Sequence, residues 1–196
     1  MTRAVKFVIA LLVLAVGLVS YGAWRFSPSA RERPSQAEVR LVHQLRSLSI
    51  PKDARAAQNP FASSPELLTG AAQHFADHCA TCHGNDGSGD TEIGRHLYPR
   101  VPDMRLAATQ NLSDGELYYI IHNGVRWTGM PAWGDADGDQ DSWKLVVFIR
   151  HLPKLTPGEI KTMERFNPRS PAEIEEEKME EDFLNGGSNG TTDHKH

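Results

Sequence analysis

Residues 78–84 read His-Cys-Ala-Thr-Cys-His-Gly and hold the chain's only two cysteines, Cys79 and Cys82, with His83 directly behind the second. Four chemistries use thiols spaced in this way. A thioredoxin-like redox pair needs a strand ahead of the motif and a mixed sheet around it, and the sequence shows no strand pattern there. A structural zinc site needs two further ligands, and no other cysteine exists to build a second knuckle. A disulfide suits an exported chain but leaves His83 without a role. Covalent haem uses all three residues, since C-x-x-C-H is its attachment signature. Thiols three positions apart reach the two vinyl groups on neighbouring pyrrole edges and become thioethers. The adjacent histidine then comes beneath the iron.

A second axial ligand has to come from elsewhere. Met104 and Met130 offer thioethers, and His74, His78, His96, His122 and His151 offer imidazoles. Met130 stands in Thr-Gly-Met-Pro-Ala-Trp-Gly, residues 128–134. Glycine there permits close approach to a flat macrocycle, and proline fixes the backbone after the ligand. The 47 residues from His83 to Met130 suffice to go round such a group and return on its other face. Met104, only 21 residues on and beside Asp103, is better placed to pack at the edge. Histidine–methionine ligation raises the reduction potential relative to two histidines.

The elements that position these residues are helices and loops. Ser64 caps a helix with Pro65 at its first position, running through Gly70 and Phe75 to the cysteine motif. A Gly-, Pro- and Asp-rich stretch over 85–105 reads as an irregular loop wrapped around something. Ser113 and Glu116 form a capping box for a short helix stopped by Gly124, a natural left-handed cap. A last helix is expected over 142–151, ended by Pro153. Such a body of about 90 residues buries little surface unless a large apolar cofactor organises it. The expected fold class is therefore all-α: helices and loops around one covalent haem, behind an N-terminal transmembrane helix.

Outside this domain, over 65–153, three further segments are distinct. Residues 1–24 place Arg3 and Lys6 before an uncharged run from Phe7 to Trp24, with Tyr21 and Trp24 as aromatic anchors. That pattern reads as a membrane anchor with its N-terminus inside, or as a signal peptide cut near Ser20-Tyr21-Gly22. Either puts the domain outside the cytoplasm. Residues 25–64 form a polar, proline-punctuated stalk with seven Lys/Arg against three Asp/Glu and one short helix over 39–48. Residues 154–196 form an acidic tail with helices capped at Thr156 and Ser170 and a disordered end. An Asp-rich run at 135–141 has its glycine in the fourth place and Val146 in the twelfth, so it is not a calcium loop. The net charge of −4 and the lack of a basic patch with interleaved aromatics exclude a nucleic-acid binder.

The motif at 78–84, the Tyr-Pro-Arg-Val-Pro-Asp-Met loop, Asn123-Gly124, the loop at 128–134 and the closing helix together resemble a class I c-type cytochrome domain. The bacterial, exported or membrane-anchored mono-haem kind is the nearest. The resemblance implies that Gly70 and Phe75 pack against the last helix around Trp143, Val147 and Phe148. It implies that a carbonyl of Pro99 or Pro102 accepts the His83 Nδ1 proton, the choice staying open. Tyr98, Arg100 and Trp127 become candidates for contacts at the haem edge or propionates. With both axial positions filled by His83 and Met130, the expected role is an electron carrier rather than a catalyst. It would serve protein redox partners, such as a membrane dehydrogenase or terminal oxidase, as a tethered shuttle or as a subunit. A peroxidase-like enzyme or haem-based sensor with a labile sixth ligand is the alternative from another class.

Overall fold

Side-chain caps start most of the longer helices where the sequence places them. The computed structural model describes residues 2–25, 29–134 and 140–184, with backbone alone at 23–25 and 171. The Asp-rich residues 135–139, the last residues 185–196 and the Trp24 side chain therefore lie outside the described part. Among the described residues there are eleven α-helices and no strand.

α1 (Arg3–Arg25) is the apolar N-terminal helix; its span Arg3–Gly22 has a mean hydropathy of 2.4 and none of it is buried. At 1.5 Å per residue it is long enough to cross a bilayer. α2 (Gln36–Ser49) begins at a full capping box between Ser35 and Glu38, a turn earlier than the apolar residues alone indicate. α3 (Lys52–Ala56) follows. In α4 (Pro65–His78) the Ser64 hydroxyl accepts the Leu67 N–H at 3.1 Å. α5 (Ala80–His83) carries the cysteine motif, α6 (Glu92–His96) punctuates the region expected to be irregular, and α7 (Ala107–Gln110) follows it. In α8 (Asp114–Asn123) the Ser113–Glu116 capping box is present in both directions. α9 (Gln140–His151) starts two residues before the expected Ser142, which is buried. A 3-10 turn over Leu152–Lys154 ends that run at Pro153. α10 (Pro157–Glu164) and α11 (Pro171–Leu184) form the tail.

The core lies where α4 crosses α9. Phe75 and Phe148 meet with ring centroids 5.1 Å apart, both essentially inaccessible to solvent. Burial of one such ring contributes about 1.5–3 kcal/mol. Trp143 stands at the side of this crossing, stacked on Tyr118 at 4.2 Å and 12°. α8 thereby joins the pair. α10 folds back as well, since Met163, only 2% exposed, belongs to the same apolar cluster.

Residues 50–61, assigned by composition to the stalk, lie against α8 and α9. The Ser113 hydroxyl donates to the Arg55 carbonyl at 2.8 Å, Arg55 Nε pairs with Glu116 at 3.2 Å, and Asn59 donates to the Trp143 carbonyl at 2.8 Å. Gly115 makes this close approach possible. A Cβ there would stand 1.9 Å from the Ala54 carbonyl oxygen. Gly70 is different: a Cβ on it would meet nothing within 4 Å, so the α4–α9 crossing does not depend on its missing side chain.

Two expectations follow. Gly115→Ala should destabilise the protein by about 1–3 kcal/mol through overpacking, while Gly70→Ala should stabilise it by about 0.5–1 kcal/mol through helix propensity; denaturant unfolding of both variants checks this. At the α9–α10 corner, Glu159 accepts the Thr156 N–H at 2.8 Å and its hydroxyl at 2.7 Å, with His151 Nε2 at 3.0 Å. The Thr156 bonds, then His151, hold its carboxyl down at about 2 against the usual 4.5. Because the folded value is the lower one, this stabilisation is complete above about pH 4.5 and lost as pH falls through about 2. Acid unfolding of Glu159→Gln, followed by circular dichroism, should fall less steeply across that window than the parent protein.

Candidate functional site

Cys79 is the hinge of the site. It ends α4 and precedes α5, with φ −104° and ψ −34°, so the chain continues with little change of direction. Its N–H donates to Phe75 O at 2.8 Å, and its own carbonyl accepts from Cys82 N at 3.2 Å and His83 N at 2.9 Å. Both thiols and the imidazole therefore stand on a single turn, one turn beyond the core residue Phe75. Gly84 then leaves the helix with φ 73°, a conformation that strains any residue with a Cβ. The following loop folds back on the carbonyl end of α5. Gly89 N donates to His83 O at 2.7 Å, and the Thr91 hydroxyl donates to Cys82 O at 3.0 Å.

The environment selects among the chemistries open to these residues. Both cysteines are free thiols and partly buried. Burial, with Cys82 close by, pushes the Cys79 thiol up to about 12. That disfavours the thiolate which zinc binding and dithiol exchange require, whereas a neutral thioether suffers no such penalty. Burial pushes His83 down to about 4, so its imidazole is neutral at pH 7 and keeps a lone pair for a metal. Its Nδ1 is enclosed and has no hydrogen-bond partner. Buried polar atoms left in this way are rare.

The Met130 loop is docked on the end of α8. Trp133 N donates to Ile121 O at 3.2 Å and Gly134 N to His122 O at 3.0 Å. Inside the loop, Val125 N reaches Met130 O at 3.1 Å, and Met130 N reaches the Thr128 hydroxyl at 3.1 Å. Gly124 does not adopt the left-handed helical cap expected of it. Its φ of 65° comes with ψ −170°, because the chain there runs on extended, and a Cβ would stand 2.5 Å from the Pro131 backbone. Trp133 lies over His78, ring centroids 5.5 Å apart, which brings the loop to the residue just before Cys79. Met130 is partly exposed and outside the core cluster. Met104 is 7% exposed and inside it, its thioether taken up by packing.

The remaining predicted residues are more scattered. Tyr98 precedes a cis bond to Pro99, and its hydroxyl donates to Glu38 of α2 at 3.0 Å. The Pro102 carbonyl packs against Gly89, whose N–H bonds His83 O, yet neither Pro102 nor Pro99 is bonded to His83 Nδ1. Arg100 is exposed, and Trp127, 91% exposed, stands at φ 61° near the tip of the Met130 loop. Sequence reasoning missed Arg105. It donates to Asp86 at 2.9 Å and to Asp103 at 2.8 Å, clamping both ends of the loop that follows His83 and holding the Asp103 carboxyl below its usual range. Only an Arg two places after an Asp signalled it.

The residues present fit a covalently held haem: two free thiols and a half-buried, neutral imidazole on one turn, with Met130 on the loop that Trp133 brings to His78. A shallow cleft between α4 and α9, lined by Phe61, Leu67, Gly70, His74, Lys144 and Leu145, includes none of them. Among the described residues no group of three or more His, Cys, Asp or Glu is placed to hold a metal ion.

The same stretch of the chain has relatives among known proteins. Residues 66–149 match the family model described as cytochrome C oxidase, cbb3-type, subunit III. Over 91 residues the chain is 36% identical to the Cbb3-type cytochrome c oxidase subunit FixP of Rhizobium meliloti (strain 1021), and likewise to that of Sinorhizobium medicae (strain WSM419). It is 34% identical to subunit FixPc of Rhizobium leguminosarum bv. viciae over the same length. Each alignment covers 46% of this chain and 29% of the relative, so the chain matches under a third of the length of these curated relatives. Over that stretch it is homologous to them.

The Met130 loop depends on its glycines. Gly124→Ala should loosen it, so that the Trp133 and Gly134 amides exchange hydrogen about tenfold faster while those of α9 stay unchanged. Amide exchange read by mass spectrometry checks this.

Proposed function

We propose that this chain is a one-haem c-type cytochrome, tethered by α1 with its helical domain on the outer side of the cytoplasmic membrane, that passes single electrons between protein partners. The observation that carries this reading is the Cys79–His83 turn, where two free thiols accompany a half-buried imidazole that is neutral at pH 7 and whose enclosed Nδ1 has no protein partner. Cys79 and Cys82 would hold the group through thioethers, and His83 would supply an imidazole nitrogen to its iron. Met130, on a loop fixed to α8, would supply a thioether as the second ligand. When bound, haem provides a one-electron iron couple. The chain's own part would be to supply His83 and Met130 as ligands and to hold His83 beside the Phe75 ring, which lies 6.5 Å away. With both positions taken there is no place for a substrate on the metal.

The partners are read from charge and from the comparisons. The sequence from 65 to 153 carries twelve Asp/Glu against six Lys/Arg, which steers a basic docking face toward it. The relatives are named as oxidase subunits, which favours service to a terminal oxidase over a free shuttle. The tail gives little support to that choice, because α10 is spent on its own domain through Met163.

Optical spectroscopy of protein made with haem-attachment machinery and extracted in mild detergent tests the reading. A low-spin haem with a thioether-to-iron charge-transfer band, unaffected by carbon monoxide when reduced, is expected. Met130→Ala should abolish the band and Met104→Ala should leave it. A high-spin oxidised form or ready carbon monoxide binding in the parent protein would contradict the proposal.

A further inference from the structure

α2 has an amphipathic face that the rest of the protein does not cover. Ala37, Leu41, Leu45 and Leu48 recur at intervals of four, four and three, and Val42 widens the stripe. No residue of the helix is buried: Leu41 is 55% exposed, Leu45 54% and Leu48 82%. The other side carries Val39, Arg40, His43, Arg46 and Ser47, with Gln44 bordering the stripe beside Ala37. Solvent-exposed leucines in a single row are costly to leave in water, and something of matching chemistry belongs on them.

Two features identify it. The first is position: ten residues separate the end of α1 from the start of α2, a reach of at most about 35 Å. The second is charge. From 25 to 49 the chain has Arg25, Arg31, Arg33, Arg40 and Arg46 against only Glu32 and Glu38. Positive residues on the far side of a spanning helix run against the usual charge bias of membrane insertion, and a local anionic partner gives them a purpose. Glu38 falls within the stripe, between Leu45 and Val42, but its carboxylate is occupied by Ser35 N–H at 2.6 Å and the Tyr98 hydroxyl at 3.0 Å.

We infer that α2 lies in the plane of the membrane surface, its leucine stripe in the interface and its arginines against anionic lipid headgroups. This rests on α1 being a membrane anchor, as proposed above. Such a helix sinks to the headgroup–acyl boundary and stays parallel to the bilayer. Its other contacts make it an orienting element. Arg55 donates to the Ser47 carbonyl and pairs with Glu116 of α8, and Ile50 is buried, so the end of α2 is held to the helical body. At its start, Glu38 holds Tyr98 in the loop beyond α6. A helix fixed on the surface thereby sets the height and tilt of the domain that bears Cys79–His83.

The test is amide hydrogen exchange of the full-length, haem-loaded protein in lipid nanodiscs holding one chain each. Discs of phosphatidylcholine are compared with discs of equimolar phosphatidylcholine and phosphatidylglycerol. Co-elution of protein with lipid reports the anchor. Amides of residues 36–49 should exchange about tenfold more slowly in the anionic discs, and Leu41→Gln/Leu45→Gln should remove that protection without altering α4 or α9. Equal exchange in parent and variant, with co-elution intact, would overturn the inference and leave the anchor standing. Failure to co-elute would overturn both. Equal protection in the two lipids would overturn the assignment of anionic headgroups. Protection seen only with two chains per disc would overturn it in favour of pairing between copies of α2.

Discussion

The junction of α4 and α5 at Cys79 is the constraint on which the rest of the structure depends. Because Cys79 stays near helical geometry, the core residue Phe75 and the three chemical residues Cys79, Cys82 and His83 share one continuous axis. Packing of Phe75 on Phe148 therefore fixes the reactive turn as directly as it fixes the core. A turn of four residues has no stability by itself. It holds because α4 is anchored to α9 on one side and the loop from Gly84 closes on it from the other.

That loop shows how a segment with little hydrophobic content is kept in place. Gly87 and Gly89 turn with positive φ, Gly89 bonds back to His83 O, and Arg105 ties Asp86 to Asp103. These are backbone and charge interactions at part-exposed positions, each modest. Together they close the loop on the backbone of the turn that carries the imidazole, whose Nδ1 has no protein partner. The facing loop uses the same means. Gly124 and Gly134 bring it against α8, and Trp133 carries it to His78.

The sequence announces its long helices and its chemistry, and is nearly silent on what joins them. Ser64, Ser113 and Thr156 mark helix starts because a capping hydroxyl is a local interaction. The Cys-x-x-Cys-His spacing is legible for the same reason. α3, α6 and α7 are four or five residues long, too short to show a 3.6-residue period, and are held by distant partners. The docking of residues 50–61 on α8 turns on Gly115 meeting the Ala54 carbonyl, a contact between positions far apart in the chain. Gly124 was readable as a positive-φ glycine, but its ψ follows from the docking of the next ten residues. The close packing role read for Gly70 has no counterpart, since a side chain there would meet open space.

The central claim is that Cys79 and Cys82 carry a covalently attached haem, and mass spectrometry tests it most directly. No Lys or Arg lies between Arg55 and Arg95, so trypsin releases both cysteines in the single peptide 56–95. From protein made with haem-attachment machinery, that peptide should carry the mass of one haem after denaturation and acid extraction. Cys79→Ala/Cys82→Ala should lose it completely. A peptide 56–95 bearing two free thiols, or only a disulfide between them, in protein purified under those conditions would contradict the account.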